Sequence, residues 1–285
     1  MKNFFVIANK SREEAVTAEK EIKEYLEAHG ANCVVDDRVG GSRHEGFTKS
    51  DAVPKDTECV IVLGGDGTLL QASVDLMDVS APFLGINLGT LGFLTAADKT
   101  EIPFALDRML NDEYVMENRM MLEGYTMTDG ETSNKTRALN EVVLTGSESM
   151  QMVFLDVFIN DQFIHRYHAD GLIVSTATGS TGYNLSAGGP IINPTAETIA
   201  LTPICPHSLS NRSIILSKDD VVRIEIPFNQ YGEKQDISAC FDGNKRSALV
   251  SGNSIFISKS EKTTGIIKLK EQSFLQTINN KLRED

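Results

Sequence analysis

The chain has 285 residues, 41% hydrophobic and 24% charged, and its 27 basic against 40 acidic side chains give a net charge of −13. That length allows two domains with separate cores, and the composition is that of a folded protein, not a disordered one. So acidic a surface argues against nucleic acid or anionic lipid as the main partner, because both are polyanions. It leaves room for a small phosphorylated ligand held by backbone N–H groups.

Residues 4–8 (FFVIA) form the first apolar run, too short for a signal-peptide core, and read as a strand. Ser11 and Glu14 have capping-box spacing. Ala15, Ala18, Ile22, Tyr25 and Leu26 then recur at helical spacing, and Gly30 supplies a stop. Residues 32–35 read as a second strand and 39–51 as a polar loop. A third strand follows at 59–63, a helix at 68–77, a fourth strand at 83–86 and a helix at 102–110. Alternating strands and helices with apolar strands predict a largely parallel sheet covered on both faces.

After about residue 118 the texture changes to strand-like runs separated by turns, at 139–145, 152–159, 163–167, 172–176, 214–216, 221–226, 237–241 and 254–258. Asn160-Asp161-Gln162 and Asp242-Gly243 read as hairpin turns. The prediction is an α/β fold of two domains. Residues 1–118 form the α/β domain, with the segment 271–285 (helical over 273–282) returning to it, and residues 119–270 form a β-rich domain, a sandwich or layered sheet. No stretch approaches the ~20 apolar residues of a membrane span. Cys33, Cys59, Cys205 and Cys240 include no C-x-x-C pair, which removes zinc-ribbon and thioredoxin readings. The expected setting is the reducing cytoplasm.

Four stretches can carry chemistry. GGDGT at 64–68 ends a strand and opens a helix, so its glycines admit a ligand to the backbone and the helix N-terminus favours an anion. Asp66 is unexpected there, because a carboxylate repels phosphate. Either Mg²⁺ intervenes, or Asp66 faces a hydroxyl and takes its proton, and both fit phosphoryl transfer to an alcohol. The plain alternative is a tight turn with a solvated acid. NLGTLGF at 87–93 follows the next strand and belongs beside the first loop, unless its apolar residues only fill a domain interface. Asn140-Glu141 inside ALNEVVL are polar residues in an apolar run, suited to a ribose diol or a base, or else to a strand end in solvent.

The fourth stretch, DGLIVSTATGSTGYNLSAGGP at 170–190, is dense in hydroxyls and glycines. Tyr183 offers a ring for stacking. It lacks both the lysine of a P-loop and the G-x-S-x-G of a hydrolase elbow. His165 and His168, three apart in a strand, point to opposite faces and so do not form a metal pair. His168 beside Asp170 is the better ligand contact.

Together these motifs resemble the NAD kinase family: GGDGT, then LNE, then DGLIVSTATGSTGY, then PICPHSLSNR, in that order over most of the chain. GGDGT alone is shared with diacylglycerol and sphingosine kinases, and phosphofructokinases carry a close relative. The resemblance implies Mg²⁺-dependent transfer of the γ-phosphoryl of ATP (or polyphosphate) to the 2′-hydroxyl of the adenosine ribose of NAD, giving NADP. On its terms Asp66 is the general base, and Gly65, Gly67 and Thr68 line the phosphate loop. Phe93 flanks the dinucleotide, and Asn140 and Glu141 hold its ribose or nicotinamide part. His168 and Asp170 contact it, partly across a subunit boundary. Thr178, Thr181, Gly182, Tyr183, Asn184, Leu185 and Ser186 line the adenine and ribose, with weaker contacts from Cys205 and Asn244. The resemblance also implies homodimers or homotetramers and a site between an α/β and a β-rich domain.

Three positions depart from the family pattern: Ala177 for Pro, Gly182 for Ala, and His168 for Arg or Lys. The first two loosen the loop, and the third makes a phosphate contact depend on pH. The rivals are a lipid or sugar kinase and a catalytically silent dinucleotide sensor.

Overall fold

The computed structural model describes residues 1–8, 10, 12–36, 48–89, 92–147, 151–208, 212–269 and 274–284. The Ser11 cap, most of the loop at 39–51, Thr90 and Leu91 of NLGTLGF and the LSN of PHSLSNR lie outside these residues. In chain order the elements are β1 (Asn3–Ala8), α1 (Glu13–Ala28), β2 (Asn32–Val35), β3 (Cys59–Leu63), α2 (Asp66–Asp75), β4 (Phe83–Asn87), β5 (Ala97–Asp98), α3 (Ile102–Leu110) and β6 (Val115–Thr128). There follow β7 (Glu131–Thr132), β8 (Thr136–Ala138), β9 (Glu141–Gly146), β10 (Val153–Ile159), β11 (Gln162–Ala169), β12 (Gly171–Thr176), the single turn α4 (Tyr183–Ser186), β13 (Thr198–Ile204) and β14 (Ile214–Ser217). The last are β15 (Val222–Glu225), β16 (Asp236–Phe241), β17 (Lys245–Val250), β18 (Ser254–Lys268) and α5 (Phe274–Glu284). The chain divides into two compact units, Met1–Arg119 with Thr264–Asp285, and Met120–Thr263. No helix among the described residues is long and apolar enough to cross a membrane.

In the first unit β2, β1, β3 and β4 lie side by side in parallel, and β18 joins β4 in parallel at Ile266 and Phe83. β3 and β4 are buried at every residue, as expected for strands covered on both faces. Alternation divides their side chains. Phe4, Val6, Ile61, Leu63, Leu84 and Ile86 meet Ala18, Ile22 and Leu26 of α1 and Leu106 of α3 on one face. Phe5, Ile7, Val60, Val62 and Phe83 meet Leu69, Ala72 and Leu76 on the other. Gly30 ends α1 with φ +77, a left-handed conformation that glycine adopts without strain. α2 begins at Asp66, two residues before the expected start, so the acid stands in the first helical turn and not in the preceding loop.

The second unit holds two antiparallel layers. One runs β11-β10-β15-β18 and the other β14-β13-β12-β9-β16-β17. Leu144, Leu155, Val157, Val174, Leu201, Ile224, Ile237 and Phe241 fill a single core. The β10–β11 turn puts Asn160 and Asp161 at φ +50 and +65, the two-residue hairpin geometry that the sequence signals.

Candidate active site

In the first unit β3 ends at Leu63 and α2 begins three residues later. Gly64 has no room for a side chain: a Cβ there would overlap Thr68. Gly65 is the N-cap and Gly67 is exposed, with open space where a Cβ would stand. Asp66 turns its carboxylate onto the following glycine-rich loop. Oδ2 accepts the Phe93 N–H at 2.7 Å and Oδ1 the Leu94 N–H at 3.0 Å. A side chain at Gly92 would overlap that carboxylate. The two loops therefore meet, as their places after adjacent strands predict, and through the acid itself. The Phe93 ring lies 6.1 Å from the Phe274 ring of α5, with the Lys281 ammonium 5.4 Å from its centroid.

In the second unit Asn140 and Glu141 sit where β9 begins. A buried carboxylate fixes their backbone: Asp242 accepts the N–H of Leu139 (2.6 Å), Asn140 (2.8 Å) and Glu141 (3.0 Å), and donates its own N–H to the Glu141 carbonyl. Thr176 closes the other side, its N–H on the Asn140 carbonyl and its hydroxyl on the Leu139 carbonyl. The side chains so positioned are not satisfied. Asn140 Oδ1 and Glu141 Oε2 are buried and have no hydrogen-bond partner among the described residues. Such atoms are costly unless a ligand or water meets them. Burial, reinforced by the Asp242 charge, pushes the Glu141 carboxyl up to about 8. Burial also raises Asp242, to about 6, against the pull of its three N–H donors. Both shifts favour a proton on the pair above the ordinary carboxylate range, most strongly at Glu141, while the three N–H donors favour the anion of Asp242.

The hydroxyl-rich stretch after β12 lies over this pair. A Cβ at Gly179 would overlap the Asn140 carbonyl, and one at Gly182 would come within 3.3 Å of Glu141 Oε2 and 3.4 Å of Asn140 Nδ2. Thr178 and Ser180 are buried, and Thr181 is half-buried. Tyr183 and Leu185 are 44% and 41% exposed on the single turn of α4, beside the exposed Ser186. Asn184 is different: it is fully buried, donates to the Ser180 and Pro190 carbonyls and accepts from the Thr202 hydroxyl. Its side chain braces the loop.

His168, Asp170 and Cys205 form a separate group. The His168 ring stacks on Phe154 at 4.2 Å and meets the His207 ring edge-on, while the His207 N–H bonds the His168 carbonyl. Asp170 is exposed and its N–H bonds Ile204. Cys205 is exposed at φ +43. His165 instead meets Tyr167, so the two histidines have separate partners. Asn244 closes the β16–β17 turn through its N–H to Phe241. Three participants were not singled out from sequence: Gly92, Asp242, which reads there only as a turn residue, and Lys268, which donates to the Phe93 and Thr95 carbonyls at 3.1 and 3.4 Å.

The family profile for the ATP-NAD kinase N-terminal domain matches residues 4–114 and that for the C-terminal domain residues 139–269. NAD kinases from Lachnospira eligens and Lachnoclostridium phytofermentans are each 41% identical to the chain; 99% of it is aligned, with 100% and 99% of their own lengths. The chain belongs to the NAD kinase family. The solved yeast NADH kinase complexed with NADH superimposes with a TM-score of 0.87 at 27% identity, covering 99% of this chain and 88% of that one. An NAD kinase from Archaeoglobus fulgidus in complex with ATP shares the fold at a TM-score of 0.76 and 22% identity, over 100% of both chains. The glycine turn around Asp66 falls in the part matched to the family's N-terminal domain, and Asn140, Glu141 and Asp242 in the part matched to its C-terminal domain.

Proposed function

We propose that the chain phosphorylates the 2′-hydroxyl of the adenosine ribose of NAD, using ATP and releasing NADP and ADP. The observation that carries this reading is the pair Asn140 Oδ1 and Glu141 Oε2, two buried polar atoms with no partner among the described residues. An amide and a carboxyl set side by side suit a ribose diol or the nicotinamide carboxamide. The exposed Tyr183 ring suits the adenine face, with Thr178, Thr181, Gly182, Leu185 and Ser186 about it and Asn184 holding the turn. Phe93, His168, Asp170, Cys205 and Asn244 supply further contacts.

Asp66 is the general base. A carboxylate can accept about four hydrogen bonds. Phe93 and Leu94 take up two and fix its plane, leaving lone pairs for a hydroxyl. As O2′ bonds to the γ-phosphorus and the bond from that phosphorus to the bridging oxygen breaks, the O2′ proton passes to Asp66 and ADP leaves. Gly65, Gly67 and Thr68 give the phosphates a side-chain-poor helix N-terminus. Among the described residues no three His, Cys, Asp or Glu side chains form a metal cluster. Mg²⁺ is the ion that accompanies polyphosphate and would neutralise charge on the transferred group. The enzyme works in the cytoplasm as a homodimer or homotetramer, which light scattering on the purified protein checks.

The test is to mix the protein with NAD, ATP and Mg²⁺ and detect NADP with an NADP-specific dehydrogenase. Asp66→Asn is expected to bind NAD nearly as the parent does and to lose about 10²- to 10⁴-fold in kcat. A variant turning over at the parental rate would remove Asp66 from the mechanism.

A further inference from the structure

The loop that clasps Asp66 is itself held from behind. Lys268, the last residue of β18, is half-buried and donates to the carbonyls of Phe93 and Thr95. The Phe93 carbonyl and the Leu94 N–H belong to one peptide unit. A single peptide therefore carries the Lys268 ammonium on its oxygen and the Asp66 Oδ1 on its nitrogen. Cation, peptide dipole and anion stand in series, an order in which each hydrogen bond polarises the next. The other charged groups acting on Lys268 are Glu117 and Arg119 of β6, which are paired with each other. Burial, with Arg119, pushes the Lys268 ammonium down to about 8.

We propose that Lys268 is a positioning residue for the phosphoryl-transfer base, acting on Asp66 through the Phe93–Leu94 peptide. It touches no substrate. It keeps the two N–H donors aimed at the carboxylate, and its charge favours the ionised base. This rests on Asp66 being the base, so the experiment separates the two ideas.

Lys268→Met, Lys268→Arg, Asp66→Asn and the double variant Asp66→Asn/Lys268→Met are assayed for NADP formation across pH, with folding checked by circular dichroism. Lys268→Met is expected to lose about 10- to 100-fold in kcat, the usual effect of removing a group that orients a functional side chain, with KM for NAD and ATP little changed. Lys268→Arg restores most of kcat and, being charged at all working pH values, holds it to higher pH than the parent, whose Lys268 loses its proton near pH 8. The double variant is no slower than Asp66→Asn alone, as for residues acting as a unit.

A Lys268→Met enzyme with parental kcat and pH profile overturns the proposal. So does one that loses thermal stability but keeps parental kcat per folded molecule. If Asp66→Asn itself turns over normally, the role given to Asp66 falls and this one with it. If Asp66→Asn is inactive while Lys268→Met is normal, only the role of Lys268 falls.

Discussion

Glu141→Gln isolates the proton that burial favours on Glu141. The folded protein raises the Glu141 carboxyl from 4.5 to about 8, through burial first and the Asp242 charge second. A raised carboxyl favours the folded state below the unfolded value, and that stability is lost as pH climbs to the folded value. The window is therefore pH 4.5 to about 8. Each tenfold step in proton affinity is ~1.4 kcal/mol, so the whole interval amounts to roughly 5 kcal/mol at most. Glutamine copies the neutral acid in shape and cannot ionise. The variant should match the parent near pH 4 and exceed it increasingly up to about pH 9. With a urea dependence of ~2–3 kcal/mol per M, the full difference is roughly 2 M in the midpoint. Urea unfolding of both proteins without nucleotide, at several pH values, reads it directly. Parallel curves for the two proteins would refute a Glu141 that is neutral at pH 7, and so would a variant that falls behind as pH rises.

Gly92→Ala places a methyl where the Asp66 carboxylate sits. It should cost at least about 10²-fold in kcat, as loss of a general base does, with far-ultraviolet circular dichroism unchanged. Asp242→Ala strands three buried N–H donors at 139–141. A loss of at least about 1–3 kcal/mol is expected, the usual cost of leaving a buried donor unsatisfied, and urea melts measure it. At temperatures where that variant stays folded, KM for NAD should rise more than kcat falls, because Asn140 and Glu141 lose their fixed backbone.

Much of this was legible before folding. Apolar runs mark β1, β3 and β4 almost to the residue, because strands covered on both faces carry few polar side chains. β2 is marked by the same kind of run although its Val34 is exposed. β6 was missed because Glu117, Asn118 and Arg119 interrupt it. The structure buries Arg119 to 2% exposure against Glu117, a pairing that a periodicity argument scores as loop. β13 was missed for its Pro203, which lies beyond Leu201, the last residue paired with β14. Among the candidate site residues, GGDGT, LNE and the hydroxyl-rich stretch stand out by composition. Asp242 and Lys268 do not. Each acts on backbone far away in sequence, and only strand register brings it there. Asn184 reads as one more polar residue of a ligand loop until its three partners are seen.

The hairpin joining β16 and β17 is more than a connection. Its Asp242 holds the amides of Leu139, Asn140 and Glu141 through the protein's own hydrogen bonds. Their hydrogens can trade with deuterium only when that hairpin lifts away. Exchange at these three positions is therefore a clock for the opening of the sheet and not for the coming and going of ligand. On the proposed function, the nucleotide meets Asn140 and Glu141 on backbone that this hairpin has already ordered.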